Sequence, residues 1–260
     1  MPLILLDKKN NITTITFNNP DQLNAMDVTM GKEFSKIITH IKNDKSTRVV
    51  ILTGSGRAFS AGGNLDMLEE KTKKSRATNQ RDMMTFYKMF LNIRNLPQPV
   101  IASINGAAVG AGFCLSLACD LRLASRDAKF GANFAKLGLA PGMGGTFLIT
   151  RLAGAQNAAE ILMTGKLFTA DQALAFGLLN RICEPTELAD DVEKLACEIA
   201  QNGPMSLKLI KRGIQLAQTK TLEQMFLYDA KAQAQCFATS DIKEGIAAVR
   251  QKRVPLFSGK

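Results

Sequence analysis

Histidine occurs once in the 260 residues, tryptophan is absent and tyrosine appears only twice. A single histidine excludes a multi-histidine zinc centre or a pair of haem histidines and leaves little room for a histidine-based nucleophilic triad. That residue, His40, lies about 100° from the centre of an apolar helical stripe, given 3.6 residues per turn, so it belongs to solvent. The five cysteines, Cys114, Cys119, Cys183, Cys197 and Cys236, are odd in number and show no CxxC spacing. This argues against a disulfide framework or a zinc cluster and for reduced thiols in a cytoplasmic setting. The opening MPLILLDKKNN has neither a basic n-region nor an Arg- and Ser-rich leader. No charge falls between Arg94 and Asp120, but Pro97, Pro99, Asn105, Gly106, Gly110 and Gly112 interrupt that run. It therefore reads as buried strand, turn and helix, not as a membrane span.

What is present describes a folded chain. With 46% hydrophobic and 22% charged residues, disorder is excluded and one large α/β unit is expected. The net charge of +10, from 33 Lys and Arg against 23 Asp and Glu, points to an anionic partner. The basic residues are dispersed, however (Lys8, Lys9, Lys71, Lys73, Lys74, Lys208, Lys211, Arg212, Lys252, Arg253), and no RNA-binding signature accompanies them.

The pattern predicts a hairpin of Ile4–Leu6 and Ile12–Phe17 turning at Lys9-Asn10-Asn11. A helix follows, with Met30, Phe34, Ile37, Ile38 and Ile41 on one face. Strands at Val49–Thr53, Val100–Ile104 and Leu121–Phe130 each run into a small-residue loop and then toward a helix. Strand, loop and helix repeated three times suggest a spiral within one domain. The charged run Glu69–Arg81 is expected as a loop or an exposed helix edge, and the chain beyond about residue 155 as mainly helical. Thr169/Gln172, Thr221/Gln224 and Asp241/Glu244 each have capping-box spacing.

Two loops carry the chemistry: Ser60-Ala61-Gly62-Gly63-Asn64 and Asn105-Gly106-Ala107-Ala108-Val109-Gly110-Ala111-Gly112. Small residues before a helix let a ligand approach backbone N–H groups, which suits a phosphate or a developing oxyanion. Phe59 and Leu115 occupy the third glycine positions of the two possible dinucleotide fingerprints, and no GxxxxGK[ST] is present. A nucleotide-binding reading is therefore weak.

At these loops the chain resembles the crotonase superfamily, the enoyl-CoA hydratases and isomerases. The likeness runs from Asn18-Asn19-Pro20 with Leu23-Asn24-Ala25-Met26, through Ala58-Phe59-Ser60-Ala61-Gly62-Gly63-Asn64-Leu65, Pro99-Val100-Ile101-Ala102 and Asn105-Gly106. It continues through Cys119-Asp120 and Pro141-Gly142-Met143-Gly144-Gly145-Thr146 to Glu244-Gly245 and Lys252-Arg253-Val254-Pro255-Leu256-Phe257. The C-terminal pattern is also similar to ring-isomerising members acting on phenylacetyl-CoA derivatives. The resemblance implies an α/β fold with a ββα-spiral acyl-CoA-binding core over residues 1–195 and a helical trimerisation region over 196–260. It further implies a homotrimer or dimer of trimers and a coenzyme A thioester as substrate. No cofactor, metal, nucleic acid or membrane partner is expected. The family's oxyanion donors map onto the N–H groups of Gly63 and Ala111. Ala25, Met26, Ala61, Gly62, Asn64, Leu65, Asp66 and Gly110 fall among the substrate-binding positions.

The carboxylates of the family are missing. The two hydratase glutamate positions hold Cys114 and Phe134, and the ring-isomerase aspartate position holds Gly142; these three residues are expected to line the acyl site. Each general acid–base group contributes roughly 10²–10⁴ in rate, so efficient hydration is not expected. The alternatives are decarboxylation of a malonyl-type thioester or a non-catalytic CoA-thioester- or RNA-binding role. Cys114 reads first as a buried, inert cysteine on an apolar helix face, with a thiolate base at the helix start as the alternative. Asp120 and Asp127 read as a turn residue and a solvated charge.

Overall fold

In a computed structural model, which describes residues 2–260, the chain forms two sheets wound together by helices. The hairpin β1 (Ile4–Lys9) and β2 (Ile12–Phe17) opens the larger sheet, turning through Asn10 and Asn11, both at positive φ. That sheet continues with β3 (Val49–Gly54), β5 (Val100–Ile104), β7 (Leu121–Ser125) and β10 (Arg181–Cys183), all parallel to β2. The smaller sheet takes the next strand of each turn: β4 (Ala58–Ser60), β6 (Ala107–Val109) and β8 (Lys129–Gly131), with β9 (Phe168–Thr169) antiparallel at its edge. Each repeat is thus two strands and a helix, a ββα spiral. The second strand of each pair is only three residues long, too short to show an alternating pattern.

Alternation in the long strands decides which face meets which core. Val50, Leu52, Val100, Ala102 and Ile104 point into the main core, with Phe17, Phe34, Phe59 and Phe90 in contact there. Val49, Ile51, Ile101 and Leu123 point the other way and are covered by α7 (Leu188–Ala200) through Val192, Ala196 and Ala200. This helix spans the expected boundary at 195/196 and seals that face of the sheet. The expected first helix is α1 (Val28–Asn43), capped by the Asp27 carboxylate accepting from the Met30 N–H at 2.7 Å. His40 lies exposed on it.

The charged run is helical, not a loop. It spans α2 (Leu65–Thr72), capped by Asn64, and the start of α3 (Arg76–Leu91), capped by Ser75. Its charges are paired across the junction: Lys71 and Lys74 reach the Asp82 carboxylate at 2.8 and 3.0 Å. The hydrogen bond from Lys71, followed by that from Lys74, holds this carboxyl down at about 2. The charge-poor run yields β5, β6 and the short α4 (Ala111–Leu117). Then come α5 (Gly145–Thr164), bent at Gly154, and α6 (Ala170–Ala175). No helix among the described residues is long and apolar enough to cross a membrane.

Three helices form the outer region: α8 (Pro204–Ala217), α9 (Leu222–Phe237) and α10 (Ser240–Gln251). The boxes at Thr169/Gln172 and Thr221/Gln224 cap α6 and α9. The third does not form. Thr239 is the N-cap of α10, while Asp241 accepts from the backbone of Ser258 and Gly259, and Glu244 from that of Leu256. These carboxylates fasten the C-terminal tail.

Candidate active site

Strand β4 hands over to α2 through Ala61-Gly62-Gly63-Asn64, and β6 hands over to α4 through Gly110. The two connections meet back to back. Gly62 has φ +99°, and a Cβ there would stand 2.7 Å from the Val109 carbonyl oxygen and 3.2 Å from the Ala111 nitrogen. Only glycine allows both that conformation and that approach. Gly112 is needed for the same crossing, because its Cβ would lie 2.5 Å from the Ser60 carbonyl oxygen.

A hydrogen-bond network immobilises the crossing. The Met26 N–H donates to the Gly62 carbonyl at 2.6 Å, and the Asn64 N–H to the Met26 carbonyl at 3.0 Å. The Ser60 hydroxyl donates to the Asn24 carbonyl and accepts from the Gly62 N–H, at 2.8 and 3.2 Å. Asn24, fully buried, accepts from the Asn19 N–H and donates to the carbonyls of Ser55 and Ala58. The N–H groups of Gly62, Asn64 and Gly110 are engaged, whereas those of Gly63 and Ala111 have no acceptor among the described residues. Both residues line one cleft of about 730 Å³, a volume suited to a small-molecule ligand.

Ala25, Ala61, Gly63, Gly110 and Ala111 form part of the cleft wall together with Asn64, Leu65 and Asp66 of the α2 start. Phe134 and Gly142 come from the segment after β8. The Asn64 side chain is spent on capping α2, accepting from the Met67 N–H at 3.0 Å. Three sequence-designated residues do not line the cleft. Met26 is wholly buried, and only its backbone serves the site. Gly62 sits behind Gly63 as the hinge of the crossing. Cys114, three residues along α4 from Ala111, is fully buried, and burial pushes its thiol up to about 12. This is the inert reading of Cys114, and the thiolate alternative falls because desolvation outweighs whatever the helix start offers. In the folded protein at pH 8, iodoacetamide is expected to label the partly exposed Cys197 and Cys236 and spare Cys114, as mapped by peptide mass spectrometry.

Residues that sequence patterns left out complete the wall. Helix α3 contributes Asn79, Met83, Phe86 and Tyr87, and the β8–α5 connection adds Asn133, Leu137, Leu139, Ala140 and Met143. The only signal in the sequence was Tyr87 itself, one of two tyrosines, four residues after Met83 on a helix face. Asp66 is the sole carboxylate and Lys71 the sole lysine in the cleft lining. Lys71 is already paired with Asp82. Asp120 has a structural role: its carboxylate accepts from the Val100 N–H at 2.8 Å and meets Lys211 at 2.7 Å.

The sequence and the fold have counterparts among known proteins. The enoyl-CoA hydratase/isomerase family model matches residues 7–260. A short-chain-enoyl-CoA hydratase of Clostridium acetobutylicum is 34% identical over 96% of this chain and 95% of its own. The 1,2-epoxyphenylacetyl-CoA isomerase of Escherichia coli is 33% identical, with both chains covered in full. The crystal structure of an enoyl-CoA hydratase from Bacillus anthracis superposes with a TM-score of 0.94 at 33% identity, again over both whole chains. The crossed glycine loops thus occur on a full-length likeness in sequence and in fold, and the chain belongs to the enoyl-CoA hydratase/isomerase (crotonase) family of enzymes.

Proposed function

We propose that the cleft binds an acyl-CoA thioester and that the N–H groups of Gly63 and Ala111 receive its carbonyl oxygen. The observation that carries this reading is the pair of cleft-lining N–H groups left without acceptors by a crossing that engages their neighbours. Two fixed donors stabilise an oxyanion more than a neutral carbonyl and so favour an enolate over the bound ground state. The coenzyme A of the substrate is the only non-protein group this chemistry calls for. The proposed assembly is a homotrimer or dimer of trimers. Its support is the set of large apolar side chains exposed on α8, α9 and α10, including Ile214, Phe226, Leu227 and Val249.

What distinguishes this site is the lack of a base at the acyl end. Hydration needs water activated on one side and a proton delivered on the other. Here the expected positions present a buried neutral thiol, an aromatic ring and a hydrogen atom. A second reading, decarboxylation of a malonyl-type thioester, is favoured by the apolar wall at Phe134. In that step the bond to the carboxyl carbon breaks, its electron pair passes into the thioester as the enolate, CO₂ departs and the α-carbon takes a proton from water. No base is required, and an apolar surrounding disfavours the carboxylate that is lost.

Crotonyl-CoA and methylmalonyl-CoA separate the readings. Hydration of crotonyl-CoA, followed by loss of enoyl absorbance, is expected to run roughly 10⁴-fold or more below that of a carboxylate-bearing relative, two acid–base groups being absent. Release of CO₂ from methylmalonyl-CoA supports the second reading. Rapid hydration that survives Cys114→Ser and Asp66→Asn would show that other groups do the acid–base work.

A further inference from the structure

The proposed mechanism uses backbone groups alone, yet the cleft holds a polar side chain that nothing in the protein satisfies. The Tyr87 hydroxyl, carried on α3, makes no hydrogen bond among the described residues, although its residue is partly buried and lines the cleft. It lies against Gly142: a Cβ on that glycine would stand 2.8 Å from the hydroxyl oxygen and 3.3 Å from the ring carbon bearing it. Gly142 is not at positive φ, so the backbone itself does not require glycine. The space is taken by the phenol.

A chain of contacts links this hydroxyl to the helix that begins with the free N–H of Ala111. The Gly142 carbonyl accepts from the Gly145 N–H at 2.8 Å. A Cβ on Gly145 would lie 2.9 Å from the Cys114 sulfur, and Cys114 is one turn along α4 from Ala111. The phenol therefore sits beside the positions where sequence matching expects carboxylates and finds none. Neighbouring Phe86 packs edge-on against the Tyr87 ring with centroids 6.4 Å apart, which restrains where the hydroxyl points.

We propose that the Tyr87 hydroxyl is a specificity-determining hydrogen-bond donor that selects thioesters carrying a carboxylate on the carbon next to the thioester carbonyl, the malonyl type. This rests on the reading of the cleft as an acyl-CoA site. A plain alkyl acyl group would strip water from the phenol and return no acceptor, which costs a factor of about ten or more in binding. A carboxylate accepts, and bonds to charged acceptors are about twice as strong as neutral ones. Burial raises the phenol above its usual range, so at neutral pH it is a donor. Being uncharged, it orients a carboxylate without the full stabilisation a lysine or arginine would give, which leaves loss of CO₂ accessible.

The test is titration calorimetry on the intact protein and on Tyr87→Phe, which keeps the ring and its packing. Three ligands serve as probes: butyryl-CoA, 3-hydroxybutyryl-CoA, and sulfoacetyl-CoA, whose sulfonate stands for the carboxylate and cannot leave as CO₂. Tyr87→Phe is expected to weaken sulfoacetyl-CoA binding at least about tenfold, to tighten butyryl-CoA binding by about tenfold because no hydroxyl is left to strip of water, and to leave the melting temperature unchanged. Equal weakening of sulfoacetyl-CoA and butyryl-CoA, or of neither, overturns the proposal while the acyl-CoA reading stands. A larger loss for 3-hydroxybutyryl-CoA than for sulfoacetyl-CoA overturns the assignment of a carboxylate. Failure of the unsubstituted protein to bind any of these thioesters overturns the acyl-CoA reading and the proposal with it.

Discussion

Gly62→Ala is expected to lower kcat/KM on whichever acyl-CoA the protein turns over by about 10²–10³, the usual loss when one oxyanion donor is removed. The methyl group would enter a space bounded by the Val109 carbonyl oxygen and the Ala111 nitrogen, at 2.7 and 3.2 Å, from a backbone held at φ +99°. Neither loop can yield freely. The Gly62 carbonyl is fixed by the Met26 N–H and the Gly62 N–H by the Ser60 hydroxyl. Relief of the clash must therefore move Gly63 on one side or Ala111 on the other, and these are the two proposed donors. Because the oxyanion gains charge only as the enolate forms, the loss should fall on kcat more than on thioester binding. Gly154→Ala is the control: it has φ +78° with nothing within 4 Å of the added Cβ. It imposes similar backbone strain without touching the loops. Equal losses in the two variants would make the Gly62 effect one of general strain and would remove the donors from the explanation.

The crossing at Gly62 also shows which features a sequence discloses. Glycine runs, the hairpin turn at Asn10-Asn11 and the capping boxes of α6 and α9 depend on residues within a few positions of one another, and each forms as local chemistry dictates. Asp241 and Glu244 have the same spacing but serve a tail that returns from residues 256–259, an acceptor demand that no local window contains. The charged run from Glu69 looks like loop because few of its residues are apolar. It is helical because two caps and the Lys71–Asp82–Lys74 cluster stabilise it and its α3 continuation buries Phe86 and Phe90. At the site, backbone positions could be assigned by matching short motifs, whereas burial could not. Cys114 and Met26 flank the cleft in sequence yet face the core. Tyr87 lies 55 positions from Gly142 and meets it only because α3 folds over the loop after β8.

Lys211→Met is expected to destabilise the protein by about 3 kcal/mol, near the lower end for removing one partner of a buried ion pair. Lys211 is only 7% exposed; its ammonium meets the Asp120 carboxylate at 2.7 Å and donates to the Gln98 carbonyl at 2.9 Å. These contacts join α8 to the start of β5, where Asp120 also accepts from the Val100 N–H. Methionine fills the stem's volume but leaves a carboxylate and a carbonyl unanswered. Asp120 keeps 29% of its side-chain surface in contact with solvent, which limits the loss. At about 2–4 °C per kcal/mol for a chain approaching this size, the melting temperature should fall by about 6–12 °C. Asp120→Asn should cost less, because an amide oxygen still accepts from both Val100 and Lys211. The double variant should be more stable than the sum of the single losses implies, since the methionine no longer strands a charge. Additive losses would mean that the two residues act separately. A Lys211→Met variant as stable as the parent would mean that apolar packing alone fastens the outer helices to the spiral.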